Sequence, residues 1–321
     1  MRVYLGLDVG SVSTNIAVLT NEGTVLDTLY IRTQGKPVEA VQKGLNRIRE
    51  AHQPLEVLGV GTTGSGRELI GIVVGADSIK NEITAHAVAA LYIVPQVQTV
   101  LEIGGQDSKM IIMRDGIVTD FAMNTVCAAG TGSFLDQQAA RLNVPIEEFG
   151  DIALQSRSPV RIAGRCAVFA ESDMIHKQQA GHCLPDILNG LCQALVRNYL
   201  NNLGKGKQLQ GPILFQGGVA ANKGMHRSFE EALGQKVIVP PYFNVMGAVG
   251  AALLAQEAVS KSQKRSLFRG FEVADFSYNP SSFECSGCAN LCEIVKIQMN
   301  GQAIGCWGDR CGKWSSTVTV A

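Results

Sequence analysis

Leu7-Asp8-Val9-Gly10-Ser11-Val12-Ser13-Thr14-Asn15 has a counterpart further along the chain, Leu101-Glu102-Ile103-Gly104-Gly105-Gln106-Asp107-Ser108-Lys109. Both stretches run into an apolar strand, Ile16 to Leu19 in the first and Met110 to Met113 in the second. Both strands then turn at an acidic residue plus glycine, Glu22-Gly23 and Asp115-Gly116. A repeat at this long separation marks a duplicated domain rather than a solenoid. Each copy opens as strand, glycine loop, strand. In the first copy the meander continues through Thr24 to Ile31. The reading is an α/β fold built from two similar units.

Working outward, Pro37 suits the first turn of a helix that ends near Ala51. Leu184 to Leu203 reads as a long helix with one stripe of Ile187, Leu188, Leu191, Cys192, Leu195, Val196, Tyr199 and Leu200. Ile213 to Phe215 is a buried strand entering Gln216-Gly217-Gly218-Val219-Ala220-Ala221-Asn222. Lys236 to Val239 reads as a further strand, and Met246 to Ala258 as a Gly/Ala-rich helix able to pack closely on a neighbour. From Val259 the chain turns polar and basic. The expected organisation is subdomain I over 1–95 and 240–258, subdomain II over 96–239, a linker over 259–274 and a small Cys-rich module over 275–321.

The loops suggest the chemistry. Gly10, Ser11, Val12, Ser13 and Thr14 offer backbone N–H groups and hydroxyls to a phosphate. Gly104, Gly105, Gln106 and Lys109 repeat the offer. Asp8 and Asp107 are hard oxygen ligands suited to Mg²⁺. Two phosphate loops facing one another fit a nucleoside triphosphate, ATP or ADP. Gly217, Gly218 and Asn222 allow close approach of backbone to its base or ribose. Each loop taken alone is also compatible with a tight hairpin; the duplication favours phosphate. No G-x-x-x-x-G-K-S/T loop occurs, and the first strand lacks a dinucleotide fingerprint.

The chain has 321 residues, and 28 Lys+Arg balance 28 Asp+Glu, so global charge points neither to nucleic acid nor to a membrane surface. No apolar run reaches the roughly 18 residues of a membrane span. The expected setting is cytoplasmic. There, nine cysteines read as metal or cluster ligands rather than disulfides.

Cys127, in Asn124-Thr125-Val126-Cys127-Ala128-Ala129-Gly130-Thr131-Gly132-Ser133, precedes a Gly-rich turn and the helical run Phe134 to Leu142. A thiolate there would face the free N–H groups at a helix start, a site for anions that include a thiolate-ligated iron–sulfur cluster. Cys166, after Gly164-Arg165 and before a second helix, repeats the arrangement. Two cysteines cannot complete a four-thiolate cluster, but a two-fold dimer supplies four. Cys192 lies on an apolar helical stripe and reads as core; Cys183 reads as a loop thiol. Near the C-terminus, Cys285, Cys288, Cys292 and Cys311 form a candidate set for zinc or a second iron–sulfur cluster, with Cys306 the spare.

Asp8-Val9-Gly10-Ser11, the Glu102 to Lys109 loop, Val126-Cys127-Ala128-Ala129-Gly130-Thr131-Gly132 and Gly164-Arg165-Cys166-Ala167-Val168-Phe169-Ala170-Glu171-Ser172-Asp173 together resemble the ATP-dependent activators of 2-hydroxyacyl-CoA dehydratases. The ATPase subunits of benzoyl-CoA reductase and the reductases of double-cubane cluster proteins are similar. The resemblance covers about residues 1–258. It implies duplicated ribonuclease-H-like domains of the acetate/sugar kinase–heat-shock–actin type. It also implies a homodimer with one 4Fe-4S cluster held by Cys127 and Cys166 of both subunits. The implied activity is ATP-driven delivery of single low-potential electrons to a partner iron–sulfur enzyme, from a ferredoxin- or flavodoxin-like donor. The sequence departs from the family at Asn15, where the first loop often ends in lysine. Rival readings are a small-molecule kinase on the same fold and a nucleotide-dependent regulatory module with structural cysteines.

Overall fold

The computed structural model describes residues 1–315. They fall into two compact units, Met1–Ala85 with the chain from Gly247 onward, and His86–Met246.

The first unit opens with β1 (Arg2–Val9), β2 (Ser13–Thr20) and β3 (Val25–Arg32), an antiparallel meander. Helix α1 (Pro37–Ala51), β4 (Glu56–Thr63), α2 (Arg67–Val74) and β5 (Ser78–Ile79) follow. The sheet order is β3-β2-β1-β4-β5, with β4 parallel to β1 and β5 parallel to β4. Val3 to Leu7 are all buried, as expected of a central strand covered on both faces. Pro37 starts α1, Glu39 lies in its first turn and Arg49 in its last, matching the helix dipole. Its buried stripe of Val41, Leu45 and Ile48 has helical spacing.

Helix α3 (Glu82–Ile93) leads into the second unit. Strands β6 (Thr99–Ile103), β7 (Ser108–Arg114) and β8 (Ile117–Asn124) form its meander. Helices α4 (Gly132–Arg141), α5 (Ile146–Ala153), α6 (Ala167–Gln179) and α7 (Leu184–Leu203) come next. The unit closes with β9 (Ile213–Gln216), α8 (Lys223–Leu233) and β10 (Val237–Ile238), the last shorter than the expected Lys236 to Val239. The sheet order β8-β7-β6-β9-β10, with β6, β9 and β10 parallel, repeats that of the first unit strand for strand. The expected stripe of α7 is buried apart from the half-buried Leu200, and Cys192 lies in the core, fully inaccessible.

Helix α9 (Met246–Ser262) runs four residues past the expected Ala258. Its small residues allow it to lie directly on the sheet of the first unit. A Cβ added at Gly6 would stand 1.8 Å from Ala248 O, and one at Gly61 2.0 Å from Ala251 O. Gly6 and Gly61 are register partners on β1 and β4, so a two-glycine floor receives the helix.

Of the expected linker, 259–274, residues 259–262 belong to α9, and the chain after them is tied to the first unit. Asp77 accepts from Ser266 Oγ at 2.7 Å and Leu267 N at 2.8 Å, and Arg49 pairs with Asp275 at 2.8 Å. A three-stranded antiparallel sheet follows, β11 (Tyr278–Glu284), β12 (Glu293–Met299) and β13 (Gln302–Trp307). Ile297 and Ile304 belong to the same buried cluster as Val3, Leu5 and Ile70. A segment this small lacks a core of its own and uses that of its host. Ile297→Ala should therefore destabilise the whole first unit by about 2–5 kcal/mol. Hydrogen exchange reads this: protection should fall across β1 and β4 as well as β12, and a loss confined to β11–β13 would show that the segment has a separate core.

Candidate functional site

The two glycine loops have one construction. In the first, Asp8 pairs in register with Asn15, and Gly10 N donates to Ser13 O at 2.9 Å. In the second, Glu102 pairs with Lys109, and Gly104 N donates to Asp107 O at 3.1 Å. The repeat read from sequence is thus a repeat of backbone geometry, fixed by antiparallel register across each loop.

The side chains differ. In the first loop Ser11 is exposed and Val12 and Ser13 half-buried, whereas Thr14 is fully buried with its hydroxyl 3.0 Å from that of Thr33. Thr33 Oγ1 also donates to Gly10 O at 2.9 Å, so these hydroxyls shape the loop. In the second loop Lys109 Nζ donates to Glu102 Oε2 at 3.1 Å and Asp107 Oδ2 at 2.7 Å, and its side chain is 3% exposed. One buried cation between two carboxylates leaves net negative charge and hard oxygens, a set that fits Mg²⁺. Glu102 was missed as a candidate site residue by sequence reasoning; its signal was its alignment with Asp8 in the repeat. Burial and the neighbouring Glu102 charge push the Tyr199 phenol well above its usual range, and Tyr199 Oη donates to Lys109 O at 2.6 Å.

Gly217 follows β9 with φ 89°, and a Cβ there would meet Ile103 O at 2.3 Å. Gly218 faces open space. Asn222 caps α8, its Oδ1 accepting from Met225 N at 3.0 Å. Gly217→Ala combines a backbone clash with a left-handed φ, so a loss of about 1–3 kcal/mol is expected from strain alone. Thermal unfolding together with nucleotide titration checks it: stability and affinity should both fall, and unchanged values would show that the β6 and β9 ends can separate freely.

Cys127 caps a short 3-10 turn, Ala128–Gly130, and Cys166 caps α6; both have extended backbone and are half-buried. The fold brings them together. Cys127 Sγ lies 3.9 Å from Arg165 O, and Asn198 Nδ2 reaches both Cys127 Sγ at 3.9 Å and Gly164 O at 2.6 Å. Asn124 clamps the first turn, donating to Cys127 O at 2.8 Å and accepting from Cys127 N at 2.9 Å.

The helix start expected to face Cys127 is turned to the second glycine loop instead. The first N–H groups of α4 do not face Cys127. Gly132 N donates to Gly104 O at 2.9 Å, and Ser133 N and Oγ donate to Gly105 O at 2.8 and 2.6 Å. The start of α4 is thus joined to the second glycine loop, and the positive end next to Cys127 is that of the 3-10 turn. Arg141 of α4 pairs with Glu171 of α6 at 2.7 Å, so the two helices are cross-tied.

Of the C-terminal cysteines, Cys285 and Cys292 flank the β11–β12 connection, with Cys285 N donating to Cys292 O at 2.8 Å. Trp314 Nε1 donates to Cys285 Sγ at 3.3 Å, which with the Gly287 N–H lowers the Cys285 thiol below its ordinary range. Cys288 and Cys311 are exposed and Cys306 is buried on β13. Among the described residues, no three His, Cys, Asp or Glu side chains are grouped as they would be around a metal ion. Likewise, no helix among them is long and apolar enough to cross a membrane.

Two sheets of one topology, each with a glycine loop between its first two strands, define the acetate/sugar kinase–heat-shock–actin class of ATPases. The chain belongs to the BadF/BadG/BcrA/BcrD ATPase family, whose profile matches residues 5–255. It is 35% identical over 268 residues to the (R)-2-hydroxyglutaryl-CoA dehydratase activating ATPase of Acidaminococcus fermentans, covering 81% of this chain and 100% of the relative. The activator of lactoyl-CoA dehydratase from Anaerotignum propionicum is 33% identical over 260 residues, covering 80% of this chain and 98% of the relative. Among solved structures, the activator of the 2-hydroxyisocaproyl-CoA dehydratase from Clostridium difficile with bound ADPNP aligns with a TM-score of 0.74 at 31% identity, over 81% of this chain and 97% of that one. The protein is an ATPase, and these three relatives are named as activators of dehydratases. The sheet β11–β13 and its cysteines lie beyond the matched residues.

Proposed function

We propose that the protein is an ATP-hydrolysing iron–sulfur reductase. It passes single low-potential electrons from a ferredoxin- or flavodoxin-like donor to a partner iron–sulfur enzyme, either a 2-hydroxyacyl-CoA dehydratase or a double-cubane cluster protein. The observation behind this reading is the convergence of Cys127 and Cys166 on one patch that is joined, through α4, to the 104–109 loop.

The donor set fits a 4Fe-4S cluster. Two half-buried thiols stand at the starts of a 3-10 turn and of α6. One chain supplies two of the four required, so a two-fold homodimer completes the set. Val126 at 95% exposure, and Val168 and Phe169 at 69% each, sit beside the cysteines, as expected of residues covered by a second copy. Bound there, the cluster supplies a one-electron reductant. The residues of the chain do the rest. In this reading Asp8 and Asp107 hold Mg²⁺, and Gly10 to Thr14 and Gly104 to Lys109 hold the phosphates. Gly217, Gly218 and Asn222 serve the nucleoside. A change in the 104–105 carbonyls on nucleotide binding would move Gly132 and Ser133, hence α4, and through Arg141 and Glu171 also α6. ATP biases this motion only by binding one arrangement more tightly than the other.

The test is anaerobic purification with iron determination and a visible spectrum. A broad absorption band and about four irons per two chains are expected. A colourless, iron-free protein that phosphorylates a small molecule would replace this reading with a kinase.

A further inference from the structure

The 161–165 segment, α6 and the end of α7 line an open cleft of about 1090 Å³ in the second unit. Five of its side chains are cations, Arg161, Arg165, Lys177, Arg197 and Lys205, against one acid, Asp173. The Asp173 carboxylate accepts from Ala163 N at 3.0 Å. Among the described residues, none of the five cations forms an ion pair, whereas Lys207 nearby pairs with Asp120. Burial first, and then the neighbouring Arg161, weaken the basicity of Arg197, whose Nη2 donates to Ile162 O at 2.7 Å. Five like charges gathered against a single acid favour an incoming anion.

The chemistry of the lining says which kind. Small-molecule sites are mostly apolar with a few fixed polar groups. This cleft is the reverse: cationic and amide side chains, no aromatic ring, and an open mouth. That composition suits charge-steered contact with another protein. Its position is specific, since Gly164 and Arg165 run directly into Cys166, and Asn198 borders both the cleft and Cys127 Sγ.

We propose that this cleft docks the acidic face of the electron-donor protein, a small acidic ferredoxin, and holds it beside the Cys127–Cys166 patch. That the partner is a redox protein rests on the proposed function; the charge complementarity does not.

The full chain, purified anaerobically, is tested for binding to an acidic clostridial-type ferredoxin by biolayer interferometry at increasing salt. Association should slow steeply with salt. In an Arg161→Gln, Lys177→Gln, Lys205→Gln variant it should slow about tenfold or more, with the visible spectrum and ATP hydrolysis unchanged. Equal binding by the variant overturns the proposal, and so does a wild-type chain that shows the visible band but does not bind ferredoxin. If the variant loses only binding of inorganic tripolyphosphate, measured with excess ADP, the cleft is a small-anion site and the docking proposal falls. If the variant becomes monomeric, the occupant is a second copy and it falls likewise. A wild-type chain without a visible band defeats the proposed function, while ferredoxin binding lost in the triple variant would still uphold docking.

Discussion

Replacing Cys127 or Cys166 with alanine is expected to abolish the visible absorption of the anaerobically purified protein while ATP hydrolysis continues. Each substitution leaves a two-fold site with two thiolates where four are required. The fold should tolerate the change. The Cys127 turn is clamped by Asn124, the 164–166 turn is held by Asn198, and neither thiol is fully buried. A stability change within about 1 kcal/mol is therefore expected. Cys192→Ala is the control. Its thiol lies in the core, where burial pushes its pKa up to about 12, so it supplies no thiolate and the spectrum should survive. A spectrum unchanged in Cys127→Ala would remove the carrying argument of the proposed function, and hydrolysis lost together with colour would show that the cysteine patch also shapes the nucleotide loops.

Lys109→Met should have the other large effect. The lysine ammonium lies between Glu102 and Asp107, and Glu102 is 4% exposed. Removing the cation strands a buried carboxylate, which costs about 3–5 kcal/mol. If Lys109 contacts phosphate as proposed, its loss should also lower ATP hydrolysis by about 100-fold or more. A double variant, Glu102→Gln with Lys109→Met, separates the two effects. Neutralising the stranded acid should restore most of the stability, read by denaturant unfolding, and should leave hydrolysis low. If hydrolysis returns along with stability, Lys109 is a structural ion-pair partner and the phosphate role fails. The register pairing also places the departure at Asn15 opposite Asp8, the position equivalent to Lys109 opposite Glu102. That pair lacks the internal ion pair that Lys109 makes with Glu102.

The duplication was readable because its cause is local. A glycine loop between two antiparallel strands sets register within a few residues, and the apolar runs flanking it set which strands are buried. The same is true of Pro37 at the start of α1, the stripe of α7 and the core position of Cys192. The pairing of Cys127 with Cys166 was also legible, from two cysteine–helix motifs of one pattern.

Tertiary contacts decided the rest, because they join residues far apart in the chain. Asn198 bridges Gly164 and the Cys127 thiol from 34 and 71 positions away, and nothing in the α7 stripe marks it. The start of α4 was expected to face Cys127, yet its N–H groups go to Gly104 and Gly105, since a helix start takes whichever acceptors the fold presents. The C-terminal segment reads as separate by composition but buries Ile297 and Ile304 in the core of the first unit, since so few residues cannot exclude water alone. Local chain chemistry thus determined two glycine loops of one construction and two cysteines at the starts of turns or helices. Packing across the second unit established that one of those loops and both cysteines form a single connected body.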